Sequence, residues 1–224
     1  MALDPLYQPR AVAPWGDYGA ILVHGMTTHA PRRADGRIPL ERTGPFVPPI
    51  TYPGNILVND DVRGALERSG LSGLSFTPVH KTRIVWSSWE TWDRTAEDPE
   101  EDPAHGEPED YILAVPHDEE LARSMRDLHA IVPTGRARIE KRPPRPIDLA
   151  VPEVIAIPVP GSAWPIRICQ PERWTRDWPV LVVTEHDGSD FALAPPYEIP
   201  ILSERACAAL ASEWIEFERF AREG

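Results

Sequence analysis

The chain predicts a mixed α/β fold of the α+β kind, made of short strands with about three helices. Eight short runs rich in Val, Ile, Leu, Phe and Trp are bounded by Gly, Pro, Asn or Asp, the signature of strands. Three longer stretches repeat apolar residues at helical spacing, two of them behind a capping residue. The 27 prolines among 224 residues are scattered rather than gathered in one tail. Each removes a backbone donor and stops a helix, so the elements are short and their connections stiff.

In chain order the strand candidates are Gly19–Val23, Asn55–Val58, Leu74–Val79, Arg83–Trp86, Tyr111–Val115, Val154–Val159, Val180–Thr184 and Phe217–Phe220. Asn59 is placed to cap a helix over Asp60–Ser69, with acids in its first turn, Val62 and Leu66 four apart, and Gly70 as its stop. Asp118–Ile131 carries Leu121, Met125 and Leu128 at i, i+4 and i+7, with acids at its start. Ser203 is placed to cap Glu204–Glu213, where Cys207, Leu210, Ala211 and Trp214 share one face.

A pattern recurs 144 residues apart. Val58-Asn59-Asp60-Asp61-Val62 through Leu66 aligns without gaps on Leu202-Ser203-Glu204-Arg205-Ala206 through Leu210, and Phe76 on Phe220. Both copies are approached through prolines and read as strand, capped helix, strand. The expectation is two related lobes. Residues 1–135 form the first, with an acidic loop at 97–110; a basic, proline-rich connection at 136–146 leads to the second, 147–224. A single compact domain is the equal alternative.

The formal charge of −12 argues against nucleic-acid binding, which needs a basic footprint. Glu97–Asp110 holds eight acids and no Lys or Arg, whereas Arg136–Arg145 has five bases against one acid. Both read as solvated loops. No apolar run approaches the ~18 residues of a membrane span. The N-terminus, MALDPLYQPR, lacks the apolar core of an export signal, so a cytoplasmic location is expected. Cys169 and Cys207 stand 38 residues apart without a CxxC or a nearby His at ligand spacing, and both read as structural.

The run from Gly44-Pro45-Phe46 to Val79, and the closing PYEIPILSERACAAL, resemble segments of a loose group of bacterial immunity proteins. These are the partners of polymorphic antibacterial toxins, and the group includes the double-CXXCG-motif family. The resemblance rests on apolar and capping patterns over about half the chain. No CXXCG occurs here, so zinc known in that branch does not carry over. The resemblance implies an intracellular, non-enzymatic protein that binds one toxin and blocks it.

Catalytic signatures are absent: there is no GxSxG, P-loop or GxGxxG. His24 and His29, in HGMTTH, are five apart and lack the Glu of a zincin helix. Glu185-His186-Asp187-Gly188-Ser189-Asp190 contains all three triad residue types, but adjacent residues on one turn point apart, and Asp187-Gly188 reads as a hairpin turn. No catalytic, cofactor or metal residue is assigned. The expected binding set is Trp86, Trp89 and Trp92 with Glu100, Glu101, Asp102, Glu107, Glu109 and Asp110, aromatic anchors beside acids that stand in for the phosphates of a nuclease substrate. A second group, Trp164, Trp174 and Trp178, precedes the strand at 180–184. The alternatives are a hydrolase or transferase using His24 or His186 with nearby carboxylates, and an adaptor or chaperone for a secreted effector.

Overall fold

The computed structural model describes residues 5–99, 106–143, 155–169 and 180–220. From the N-terminus come β1 (Leu6–Ala11), α1 (Gly16–His24), β2 (Ile38–Gly44), β3 (Ile50–Thr51), β4 (Leu57–Asn59), α2 (Asp60–Arg68) and β5 (Leu74–Trp86). Next are α3 (Pro108–Ala114), α4 (Glu119–Ser124), β6 (Leu128–Pro133) and β7 (Gly135–Arg142). The remainder is β8 (Ile155–Ile157), β9 (Ile166–Cys169), β10 (Val180–His186), β11 (Phe191–Leu193), β12 (Pro200–Ser203), α5 (Glu204–Ala209) and β13 (Ile215–Arg219). The class is mixed α+β.

Two compact units divide this chain, and it passes between them four times. One comprises Ala11–Ala65 and Phe76–Ile131; the other comprises Met1–Arg10, Leu66–Ser75 and Val132–Gly224. The division is therefore not a cut at 136–146. That basic segment begins as β7, with Gly135 and Ile139 buried, Ala137 half-buried, and Arg136, Arg138 and Glu140 exposed. Alternation along a strand hides a core face beneath a charge count. Gly135 is required there: a Cβ would lie 1.8 Å from Ser189 Oγ and 2.5 Å from the Phe191 carbonyl.

The first unit carries a five-stranded sheet in the order β2-β5-β6-β4-β3. Ile38 and Leu40 of β2, Leu57 of β4, and Leu128 and Ala130 of β6 form one of its cores. Adjacent β5 residues point to opposite faces, so Val85 meets Met26 and Ile112 of α3 while Ile84 meets Ala122 of α4 and Met125. Lys81 Nζ, also on β5, donates to the carbonyls of Ala122 (2.8 Å) and Met125 (2.7 Å) and to Asp127 Oδ1 (3.1 Å). A compact ammonium suits these three oxygens at the end of α4.

The second unit has an eight-stranded sheet, β10-β7-β11-β12-β1-β13-β9-β8. Its core brings together Leu6, Ile139, Val183, Ala192, Ala194, Ile201 and Phe220.

The strand–capped helix–strand pattern is present in both units. Asn59 Oδ1 accepts from the Val62 N–H at 2.9 Å, and Ser203 Oγ from the Ala206 N–H at 3.2 Å. The likeness also extends beyond the aligned residues. β4 pairs antiparallel with β3 and β6, and β5 runs parallel to β2; β12 pairs antiparallel with β11 and β1, and β13 runs parallel to β9. Each capping residue faces a leucine across the sheet, Asn59 opposite Leu128 and Ser203 opposite Leu6. The inserted strand comes from downstream in one unit (β6) and from the N-terminus in the other (β1). This permutation is why a linear repeat of 144 residues captures only part of the correspondence.

Several expected elements change. Gly19–Val23 lies in α1, and Tyr111–Val115 begins in α3 and ends at Val115, its C-cap. Short apolar runs fit either state; in α3 the deciding signals are Pro108 at the helix start and Glu109 and Asp110 in the first turn. The acidic segment 97–110 thus ends inside a helix rather than as a loop. The helix expected over Asp118–Ile131 stops at Ser124, because Met125 turns extended and Leu128 joins β6. The last helix stops at Ala209, leaving Trp214 ahead of β13. Asp187-Gly188 is not a tight hairpin, since β7 lies between β10 and β11.

Candidate functional site

The three tryptophans expected to act together occupy three different environments. Trp86 ends β5 and is 59% exposed. Trp89, in a 3₁₀ turn at Trp89–Thr91, is wholly buried, its ring 5.3 Å from Phe46 in an edge-on contact. Trp92 is half-buried, 5.7 Å from the Trp15 ring. Trp86 is therefore the member available to a partner. Trp164 is exposed, while Trp174 and Trp178 lie outside the described residues.

Glu100, Glu101 and Asp102 of the expected acidic set also lie outside the described residues. Glu107 is the residue before α3, and Glu109 and Asp110 are in its first turn, where carboxylates complement the helix dipole. Glu109 Oε1 also lies 2.9 Å from His29 Nε2, and His29 Nδ1 lies 3.6 Å from Glu41 Oε2. Glu107 and Asp110 are exposed. The His29 link to Glu41 and Glu109 leaves no trace in the sequence, because neither carboxylate is near His29 in the chain.

His24 is structural. Its ring is buried, with Nε2 placed 3.1 Å from the Val12 carbonyl and Nδ1 3.2 Å from the Tyr52 N–H. Those partners define a neutral tautomer with the proton on Nε2 and no lone pair left for a substrate. Burial pulls its pKa down to about 4, partly opposed by the Val12 carbonyl, with the Arg42 charge adding to the lowering. An unfolded chain takes up the proton near pH 6.5 and the folded chain only near 4, so stability should fall as pH drops through that window. We expect a loss of about 2 kcal/mol between about pH 7.5 and 5, read by urea unfolding, with a shallower slope in His24→Gln. Equal slopes in the two proteins would remove His24 as the cause.

Arg42 accompanies His24 inside the same unit and was not singled out from sequence. It is completely buried; Nε donates to the Thr43 carbonyl (2.8 Å), and Nη2 to those of Val23 (3.2 Å) and Phe46 (3.0 Å). Thr43 Oγ1 donates to the Leu22 carbonyl at 3.1 Å. Together they satisfy carbonyls at the negative end of α1, and burial lowers the Arg42 pKa to about 9.

In the other unit His186 accepts the Gly188 N–H at Nδ1, 3.2 Å away. Burial lowers its pKa, partly opposed by Asp187 and Asp190. Ser189 Oγ donates to Asp187 rather than to His186, and Asp187 also accepts the Arg136 N–H at 2.7 Å. The Ser189 hydroxyl and N–H bring the Asp187 pKa down to about 2. The three residue types share a turn without forming a relay. Asp190 instead turns inward as a structural hub. Its Oδ2 accepts the Ser72 N–H (2.9 Å), the Ser72 hydroxyl (3.2 Å) and Arg205 Nη1 (3.3 Å), and its Oδ1 accepts the Ser203 hydroxyl (2.7 Å).

Cys207 is buried and free, and burial pushes its thiol pKa well up, so it behaves as a core residue. Among the described residues no three His, Cys, Asp or Glu side chains converge as a metal site. No helix there is long and apolar enough to cross a membrane. No family model, curated protein or solved structure matches the chain.

Proposed function

We propose that this protein is an immunity protein that binds a cognate antibacterial toxin in the cytoplasm and neutralises it by occluding the toxin's active site. The resemblance of residues 44–79 and of the closing segment to immunity proteins carries the reading. Two structural facts support it. The histidines that would serve an enzyme, His24 and His186, hold backbone groups in place. Meanwhile Trp86, Glu107 and Asp110 remain exposed on one unit, the residue types that anchor and steer a basic partner.

Co-expression with the product of the adjacent gene in a susceptible host tests the proposal. Rescue from killing, together with a stable purified complex, is the expected result. Co-purification without rescue would replace it with the adaptor reading, and neither outcome would return attention to an enzyme. Neutralising the acids of 97–110 tests phosphate mimicry separately: unchanged affinity would remove mimicry and leave the immunity role standing.

A further inference from the structure

We propose that His29 is a pH-sensitive clasp. Its protonated ring bridges Glu41 and Glu109 and holds the first turn of α3 against β2, and loss of the proton releases that turn. The inference concerns one unit of the fold and is independent of the immunity reading.

Backbone pairing sets the position of the ring. The Met26 N–H donates to the Glu41 carbonyl at 2.7 Å and the Glu41 N–H to the Met26 carbonyl at 2.9 Å, which lays the segment after α1 along β2. Thr27 Oγ1 donates to the Pro53 carbonyl at 2.6 Å and pins the same segment. His29 follows, with Nδ1 3.6 Å from Glu41 Oε2 and Nε2 2.9 Å from Glu109 Oε1. Glu41 belongs to β2 and Glu109 to the first turn of α3.

The proton count of the ring decides whether both contacts survive. An ionised carboxylate only accepts, and a neutral imidazole carries one N–H, so neutral His29 turns a lone pair toward one of its two neighbours. Only the imidazolium offers an N–H to each. The Glu41 side chain is 8% exposed, and its Oε2 is buried without a hydrogen-bond partner among the described residues, so it depends on the charge of His29. The Glu109 side chain is 43% exposed and has water as an alternative. When the ring loses its proton, Glu109 is therefore the partner that leaves.

The charged groups on the surrounding elements are otherwise engaged or add to the demand for a cation. Arg83, the register partner of Glu41 on β5, reaches the far end of α3, where Nη1 donates to the carbonyls of Leu113 (2.9 Å) and Val115 (3.0 Å). Glu107 and Asp110, beside Glu109, contribute further negative charge. In the segment that carries His29, Arg33 lies against Asp35 and His80, and Arg32 is exposed. Two other histidines act in the opposite sense. His24 accepts the Tyr52 N–H and His117 the Ile84 N–H, so protonation breaks their contacts, whereas protonation completes those of His29. The clasp thus weakens as pH rises through the histidine range.

The test follows amide exchange in the full-length chain by NMR. The reporter is the Tyr111 N–H, which donates to the Glu107 carbonyl at 3.0 Å across the first turn of α3. Its protection factor, referenced to the intrinsic exchange rate at each pH, is expected to fall at least about threefold between about pH 5.5 and about pH 8, the scale of an ion pair partly in solvent. His29→Gln and Glu109→Gln should each abolish that fall. Glu109→Gln alters an exposed side chain and keeps the test readable if His29→Gln lowers the thermal midpoint. Wild-type protection that stays level or rises with pH would overturn the clasp, and so would an undiminished fall in either variant.

Discussion

Replacing Asp190 by alanine is expected to destabilise the fold by about 3–5 kcal/mol, measured as the change in urea unfolding free energy. The side chain is 5% exposed and ties the start of β11 to Ser72 and to Ser203, the residue that caps α5. Its removal strands the Ser72 N–H and loosens the α5 cap in one step. Arg205 contributes little of this, because its side chain is 65% exposed and solvent screens the pair. Asp190→Asn should lose less than alanine, since one amide oxygen still accepts, but its NH₂ faces groups that donate. Burial tends to raise the Asp190 pKa, yet the Ser72 N–H, the Ser203 hydroxyl and Arg205 together hold it below the ordinary carboxylate value. Its contribution is thus present above about pH 4 and lost as pH falls further, below the window in which His24 acts. A loss under about 1 kcal/mol in Asp190→Ala would show that the hub is dispensable.

Trp89→Ala is expected to cost a further large amount, about 3–5 kcal/mol, because it empties a fully buried site against Phe46. Trp86→Ala should stay within about 0.5 kcal/mol of wild type, since that ring is already in solvent. Matched thermal melts of the two variants measure the contrast. Equal midpoints would mean that Trp89 does not fill the core as described. The pair also separates stability from binding, for only Trp86 is proposed to touch the partner.

Legibility differed by the range of the interaction. The caps at Asn59 and Ser203 were readable because capping joins a side chain to a backbone N–H three residues on. The strands at 74–79, 83–86 and 180–184 carried enough apolar and β-branched residues to be read locally, although the first two are one continuous β5. The α3 helix is also legible in principle: Pro108 and its two following acids signal a helix start, although the same acids also make up part of a charged block. Leu128 could not be assigned from spacing, because its helical phase with Leu121 and Met125 is cancelled by pairing with Asn59 across the sheet.

The candidate surface divides the same way. Composition placed the acids and the tryptophans next to one another, and that closeness in sequence made them look like a single site. Burial then separated Trp86 from Trp89 and Trp92, and His29 engaged Glu109 while Glu107 and Asp110 stayed in solvent.

From its residues alone the chain specified short elements, two capped helices, their shared strand–helix–strand pattern, and a charge concentrated in one segment. These follow from local sterics and from counting, which do not depend on neighbours distant in sequence. Which strand enters each repeated unit, β6 in one and β1 in the other, was decided by packing across the chain. So were the buried roles of His24, Arg42 and Asp190. A backbone pairing or a buried hydrogen bond joins residues without regard to their separation, and no local pattern records it.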